Sequence, residues 1–438
     1  MHDDPIGGEH LAPVSFSAEN HPADLAELLE EMAPEAARVA LLALPLGHGA
    51  ETFGYLPPEI QVALARVLSR GELAAIVTEM NGDDRADLYN RLTPEQQEAL
   101  LPGLAQAERE DIRRLAAHQE GTAGAIMTSD YATLAPGLTV LQAIGKLRLE
   151  APDKETIYRT YVVDAERRLI GSVRLQTLIL AQPQRTVEEV MERTTRAVGV
   201  EDDQEEVARS IAKYDIIALP VVDGEGRLVG IVTHDDALDV LQAEATEDFQ
   251  KVGSVGSMAD SIASASIALL YRSRIYWLVL LVFGNLLSGA GLAFFEDTIA
   301  AYIVLVFFLP VLIGSGGNAG SQSSTLMVRA LATGDVEMKD WGRMFFRELG
   351  VAILLGMTMA VAISTIAGFR GGHQVALVVA VSMLLIVTAG SLIGMSMPFI
   401  LSRFRLDPAT ASAPLIASIA DIMGVVIYFS IARAILLH

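Results

Sequence analysis

Asp421 stands in "APLIASIADIMGVVIYFS", and no other charged residue occurs between Asp407 and Arg433. A carboxylate inside so apolar a run costs at least a few kcal/mol in a bilayer and normally faces a wet path or a partner. Arg433 is 12 residues further on, ~18 Å along a helix, too far to neutralise it. No His, Lys or second acid lies near it in sequence, so a proton relay is poorly supplied and a cation is the partner this acid suggests. A second unusual string, "PVLIGSGGNAGSQSS", sits in a stretch with no charged residue from 298 to 328. In lipid, such a break in apolar pattern is tolerated where it packs in protein or lines a cavity. The string lacks the Gly-Lys-Ser/Thr ending of a phosphate loop. Close packing of small residues suits Gly316, Gly317 and Gly320, but leaves Pro310, Asn318 and Gln322 unexplained.

One carboxylate cannot balance a divalent cation, whereas a two-fold homodimer brings two copies to its axis. Two such acids raise each other's proton affinity unless a cation lies between them. Mg2+ dehydrates reluctantly and favours few carboxylates with retained waters, while Ca2+ wants six to eight oxygens. A sparse site of Asp421, Asn318, hydroxyls and carbonyls therefore suits hydrated Mg2+, with Mn2+ and Co2+ also fitting.

The elements that must position these groups are membrane spans. Five stretches, 275–295, 298–328, 349–369, 375–402 and 409–437, have the ~20 apolar residues a bilayer core requires. Arg272, Arg274, Arg329, Lys339, Arg343, Arg347, Arg403 and Arg405 fall in the loops of one side. The other side has Glu296, Asp297 and Arg370. The positive-inside rule then makes the N-terminal half cytoplasmic and places the C-terminus, His438, outside. Asn318 is 11 residues before Arg329, ~16 Å, and Asp421 is 12 after Ala409, ~18 Å, so the string and the acid are expected at one depth.

The chain divides by charge. Residues 268–438 hold 10 Lys+Arg and 8 Asp+Glu, so the first 267 carry 22 against 46, a net of −24 within the whole-chain −22. The absence of Cys excludes disulfides and thiolate metal sites. "MHDDPIGGEH" has no signal-peptide pattern. From 21 to 118 short amphipathic helices alternate with proline. Met32, Leu56 and Met80 recur 24 apart and Leu92 follows 12 later, the spacing of a small stacked-helix array. Within it Asp83 and Asp87 share a helical face, which a solvated surface would explain without function. A sharper repeat pairs Val162, Asp164, Arg168 and Gly171 with Val221, Asp223, Arg227 and Gly230 at a constant offset of 59. Each copy combines a β-hairpin with helices. In the connector that follows, Asp236 and Asp239 fall on one helical face and Glu244, Glu247 and Asp248 on another, close to where Asp407 should emerge. Carboxylates facing one another repel, and a bound divalent cation inverts that sign. They are expected either to bind Mg2+ and shut a pore or to act as a solubilising surface.

The offset-59 repeat resembles the tandem cystathionine-β-synthase (CBS) pair, in which Gly-x-Ile/Val-Ser/Thr-x-x-Asp binds an adenosine ribose. The second copy keeps it as Gly230, Val232, Thr233 and Asp236, while the first has Arg174 and Thr177 at the polar positions. Thr233 and Asp236 are thus the nucleotide candidates, for a regulatory ATP. The full order, together with "PVLIGSGGNAGSQ" and "DPATASAPLIASIADIMG", resembles the MgtE family of Mg2+ channels over nearly the whole chain after the first ~20 residues. The resemblance implies a multidomain fold: a tail over 1–20, an all-α helical-repeat N domain over 21–120, and α/β CBS domains over 121–181 and 182–240. An acidic connecting (plug) helix over 241–267 and a five-helix transmembrane domain over 268–438 follow. It further implies a homodimeric, multi-pass protein of the bacterial inner membrane, with lipid around it and its pore on the two-fold axis.

By the same resemblance Asp421 is the pore acid at which hydrated Mg2+ binds, and Asn318 belongs to a pore-lining Gly-Gly-Asn motif. Glu244, Glu247 and Asp248 match acids of the plug helix, with Asp407 at the cytoplasmic end of span five. Asp215, Asp236, Asp239, Asp83 and Asp87 match interdomain Mg2+ sites. The expectation is a Mg2+ uptake channel closed by Mg2+, not an enzyme, with no nucleic-acid partner. The alternatives are a proton-coupled Mg2+/Co2+/Mn2+ transporter regulated by nucleotide, which wants more intramembrane titratable groups, and a membrane-anchored nucleotide sensor or enzyme, for which no nucleophile, triad or His cluster is present.

Overall fold

The computed structural model describes residues 16–253, 255, 266–411 and 413–437. Most of the expected tail over 1–20, part of the 241–267 connector and His438 lie outside the described residues. Two compact units are formed, Met1–Ala243 and Glu244–His438.

Proline and capping chemistry set the helices of the first unit. Eight are described: α1 (Pro22–Glu30), α2 (Pro34–Leu42), α3 (Leu46–Gly54), α4 (Pro58–Val67), α5 (Arg70–Glu79), α6 (Gly82–Arg91), α7 (Pro94–Leu100) and α8 (Gln106–Leu115). Pro22, Pro34, Pro58 and Pro94 occupy first turns, where a missing N–H costs nothing. Reciprocal capping boxes start α5 at Ser69 with Glu72 and α7 at Thr93 with Gln96. Each helix packs on the next but one, α1 on α3, α2 on α4 and so on to α6 on α8, which is the stacked array the spacing predicts. Leu56, Met80 and Leu92 are buried, whereas Met32 near the start of the array is exposed.

The offset-59 repeat folds twice into the same small sheet. The first copy is β1 (Tyr131–Leu134), α9 (Val140–Glu150), β2 (Thr156–Val163), β3 (Leu169–Arg174) and α10 (Leu175–Leu180). The second is α11 (Val187–Val190), β4 (Val198–Gly199), α12 (Gln204–Tyr214), β5 (Ala218–Val222), β6 (Leu228–Thr233) and α13 (His234–Val252). In each, a parallel pair is followed by an antiparallel hairpin, and Val162 opposite Gly171 repeats as Val221 opposite Gly230. The copies are stitched by Tyr161 Oη donating to the Ala218 carbonyl at 2.8 Å and Tyr131 Oη to that of Leu228 at 3.1 Å.

The second unit contains α14 (Ile267–Phe294), α15 (Glu296–Ala301), α16 (Leu309–Ala332), α17 (Trp341–Arg403) and α18 (Ala413–Leu436). Among the described residues three helical stretches are long and apolar enough to cross a membrane: Ile267–Phe294, Met338–Arg403 and Ala413–Leu436. The expected stretch 298–328 is not among them, since Gly, Ser and Asn dilute α16. One expectation changes here. The glycine string does not break a helix: α16 is continuous through it, because Pro310 sits in the first turn and the glycines keep helical backbone. Non-helical backbone lies upstream, at Phe295 and Tyr302 on either side of the short α15, and is followed by a 3-10 turn at Ile303–Phe307. The stretches 349–369 and 375–402 are two helical arms within α17, separated as expected at Gly372, where φ is 78° and helical geometry fails. A Cβ on Gly356 would meet Leu384, and one on Gly368 would meet Ala376, so the arms fold back antiparallel about Gly372.

Candidate cation sites and the nucleotide cleft

Glycine places α16 against its neighbours. A Cβ on Gly320 would lie 2.7 Å from the Gly390 carbonyl oxygen, one on Gly316 would lie 2.5 Å from Ile386 Cγ2, and one on Gly394 would collide with the Gly320 carbonyl. Only bare backbone allows this approach of α16 to the second arm of α17. Ser321 Oγ donates to the Ala413 carbonyl at 3.2 Å and the buried Ser324 Oγ to that of Ala411 at 2.8 Å, fixing the start of α18 along α16. Gly317 faces α18, where a Cβ would be 3.4 Å from Ala417 and 4.0 Å from Asp421 Oδ1. The half-buried carboxylate therefore lies level with the residue preceding Asn318, whose side chain is exposed on the chain. Among the described residues no Lys, Arg or His forms an ion pair with Asp421, and Arg433 is exposed.

At the end of α13, Lys251 Nζ lies 2.7 Å from Glu247 Oε1 and 2.5 Å from Asp407 Oδ2. Asp407 Oδ1 accepts from the Ala409 N–H at 2.8 Å, capping a 3-10 turn. Burial first, then the neighbouring Asp407, Glu244 and Glu247, raise the Asp248 carboxyl, while Lys251 opposes them. Partial burial by itself lowers Lys251, but hydrogen bonds to Asp407 and Glu247 carry its ammonium above the ordinary range. Sequence reasoning grouped the four acids and missed the lysine, although Glu247 and Lys251 have the i, i+4 spacing of a helical ion pair.

In the first unit α6 brings Asp83 and Asp84 to Asp236 of α13 and to Glu155, which precedes β2. Burial first, then Asp236, Asp84 and Glu155, push Asp83 well above the carboxylate range. Burial and Asp236 push Asp84 to about 6. Burial, with Asp236, Asp235 and Asp84, pushes Glu155 to about 8. Asp236, half-buried, rises to about 6 through its loss of solvent, against the hydrogen bond from Thr233. Asp83 Oδ1 and Glu155 Oε2 are buried without a hydrogen-bond partner. Arg85, buried on the same helix, instead reaches Asp130 Oδ2 at 3.1 Å and Asp111 Oδ2 at 4.0 Å.

Of the residues singled out from sequence, Asp83 and Asp236 come together and Asp239 is near enough to act on Asp84. Asp87 is drawn off by Arg91 at 3.2 Å. Asp215 lies elsewhere, in the left-handed C-cap of α12 with φ 50°. Asp84 and Glu155 were missed, the latter because it is 72 residues from Asp83 and only the chain path to β2 delivers it. Among the described residues no three acidic or imidazole groups are drawn to the spacing of ligands around one ion. The donors are nevertheless hard, anionic and partly unsatisfied, the chemistry that suits Mg2+.

A cavity of about 590 Å3 opens beside the first CBS copy, lined by Tyr158, Arg159, Arg174, Gln176, Tyr214 and Asp215 among others. Arg196 stacks its guanidinium 3.9 Å above the Tyr214 ring. A smaller one of about 250 Å3 is lined by Asp215, Ile216, His234 and Leu238. Neither is lined by Thr233 or Asp236, whose side chains hydrogen-bond to each other. Asp236 faces carboxylates, which repel phosphate, whereas the larger cavity is lined by Arg159 and Arg174, which share the single carboxylate of Glu192 at 3.2 and 3.5 Å.

The domain profiles of three known families match this chain: the MgtE intracellular N domain over 20–121, the CBS domain over 123–183 and 187–243, and the MgtE divalent cation transporter over 309–431. The magnesium transporter MgtE of Thermus thermophilus is 42% identical over 421 residues, covering 95% of this chain and 94% of that one. That of Bacillus subtilis is 34% identical over 420 residues, covering 95% and 92%. A crystal structure of the cytosolic domain of the Mg2+ channel MgtE in complex with ATP aligns at TM-score 0.50 and 42% identity, covering 51% of this chain and 91% of that chain.

Proposed function

The chain belongs to the MgtE family of magnesium transporters, and from that premise we propose that it is a Mg2+ channel for uptake across the bacterial plasma membrane, closed by Mg2+ on its cytoplasmic side. Five spans are inferred, from α14, α16, the two arms of α17 and α18. The acidic half then lies in the cytoplasm and the C-terminus outside. Two subunits each contribute an Asp421 and an Asn318 to a pore on the dimer axis, where paired carboxylates attract the ion and a neutral amide meets its water shell. The observation that carries this reading is Asp421 itself, level with Gly317 on a glycine-packed helix and with no cationic partner among the described residues. Such an acid is paid for by an ion that comes and goes.

Closure follows from the same electrostatics. Glu244, Glu247 and Asp248 of α13 with Asp407, which share the one ammonium of Lys251, and Asp83, Asp84, Asp236 and Glu155 around α6 keep an excess of negative charge that a divalent cation between them relieves. Binding Mg2+ there favours compact packing. ATP in the larger CBS cavity would add a second input, with Arg159 and Arg174 toward its phosphates and Tyr158 or Tyr214 toward its base. Liposome recording tests the whole reading. Mg2+ current in the absence of a proton gradient, abolished in Asp421→Ala, is the expected result. Flux that requires a proton gradient overturns the channel in favour of a coupled transporter.

A further inference from the structure

Lys251 ends α13 in a position that the acids alone do not predict. Its ammonium lies between Glu247 Oε1 at 2.7 Å, on its own helix, and Asp407 Oδ2 at 2.5 Å, before α18. The other Asp407 oxygen is already occupied by the Ala409 N–H. The next residue, Val252, packs with the buried Val328, Ala409 and Ala411, so the tip of α13 is seated by apolar contact as well as by charge. A cation bridging a carboxylate of the connecting helix to Asp407 is what Mg2+ is asked to supply in the closed pore. We propose that Lys251 is a tethered cation that holds the end of α13 on Asp407 when Mg2+ is scarce, so that Mg2+ completes a bridge the chain has already begun. This inference rests on the closure reading above.

The consequence is a lower Mg2+ demand for closure. One ammonium among four carboxylates leaves the group anionic, so a divalent ion is still attracted. Lys251 reduces the repulsion that ion must overcome and pre-pays part of the ordering of α13. It acts through the helix and is a positioning residue. A lysine that merely competed with Mg2+ for Asp407 would have the opposite effect, raising the Mg2+ demand.

The test uses the full-length protein, which has no Cys of its own. With Val252→Cys and Ala409→Cys introduced, the rate of joining by a short bifunctional thiol reagent reports docking of the helix end. In EDTA the rate should fall about tenfold in Lys251→Gln, the loss of one partly buried charged contact. Lys251→Arg should restore it, and so should added Mg2+ in the Gln variant. In liposomes carrying the chain without introduced cysteines, Lys251→Gln should raise the half-closing internal Mg2+ concentration by about the same factor. Unchanged joining in Lys251→Gln overturns the tether, as does closure at lower Mg2+. Lysine-dependent joining in a protein whose current ignores internal Mg2+ would instead overturn the closure reading and leave the tether standing.

Discussion

At the scale of single residues, charge and burial carry the argument. Replacing Asp421 by Asn removes the ion's counter-charge with little change of shape. Mg2+ flux should drop by at least about tenfold while thermal stability is kept or rises, because the buried charge is costly to the fold. The acids around α6 give a prediction with a definite sign. Asp83, Asp84, Asp236 and Glu155 all have folded-state values raised above the ordinary ~4 of a carboxyl, to about 6 in Asp84 and Asp236 and about 8 in Glu155. Below the ordinary range folded and unfolded chains are both protonated. Between there and the raised values the unfolded chain has lost protons that the folded one keeps, so stability falls as pH rises. In EDTA the melting temperature should therefore decline from about pH 5 to about pH 8, and saturating Mg2+ should flatten that decline. A calorimetric series with and without Mg2+ measures both slopes, and Glu155→Gln should reduce the EDTA slope.

At the scale of elements, the glycine string acts by shape. The sequence marked Gly316, Gly317 and Gly320 as small residues suited to close packing; Gly390 and Gly394, the partners of Gly316 and Gly320, lie some 70 residues away on α17, while Gly317 meets Ala417 of α18. Gly394→Ala has no room beside the Gly320 carbonyl and should destabilise the protein in detergent by about 1–3 kcal/mol. Gly350→Ala, helical and with nothing within 4 Å of its added Cβ, should stabilise it by about 0.5–1 kcal/mol. Unfolding curves for the pair separate packing from helix propensity. The continuous α16 was hidden from the sequence because Pro310 reads as a break until its place in the first turn is known. The break at Gly372 was legible, since the stretches 349–369 and 375–402 already leave Arg370 and Gly372 between them, and only the left-handed φ of 78° had to come from the structure.

At the scale of the whole molecule, the acidic half should behave as a Mg2+-dependent body. Net −24 over the first 267 residues implies self-repulsion that divalent ions relieve. Scattering and limited proteolysis of the intact protein should show compaction and protection on adding Mg2+ at constant ionic strength, and an unchanged profile would remove the sensor role. The sequence by itself determined the division into acidic and apolar halves, the duplicated CBS unit and the buried acid, because each is written in periodicity, repeat spacing or the rarity of charge in an apolar run. Local patterns suffice for these. Family likeness also set Asp83, Asp87, Asp215, Asp236 and Asp239 together as interdomain acids, without saying which of them meet. Tertiary structure alone decided that Asp83 and Asp236 meet and that Glu155 and Asp84 join them, that Arg91 draws Asp87 away, that the larger cavity is lined by both CBS copies, and that Lys251 reaches Asp407 across 156 residues of chain. Those contacts depend on where the backbone returns, and electrostatics acts on distances in space that sequence separation does not encode.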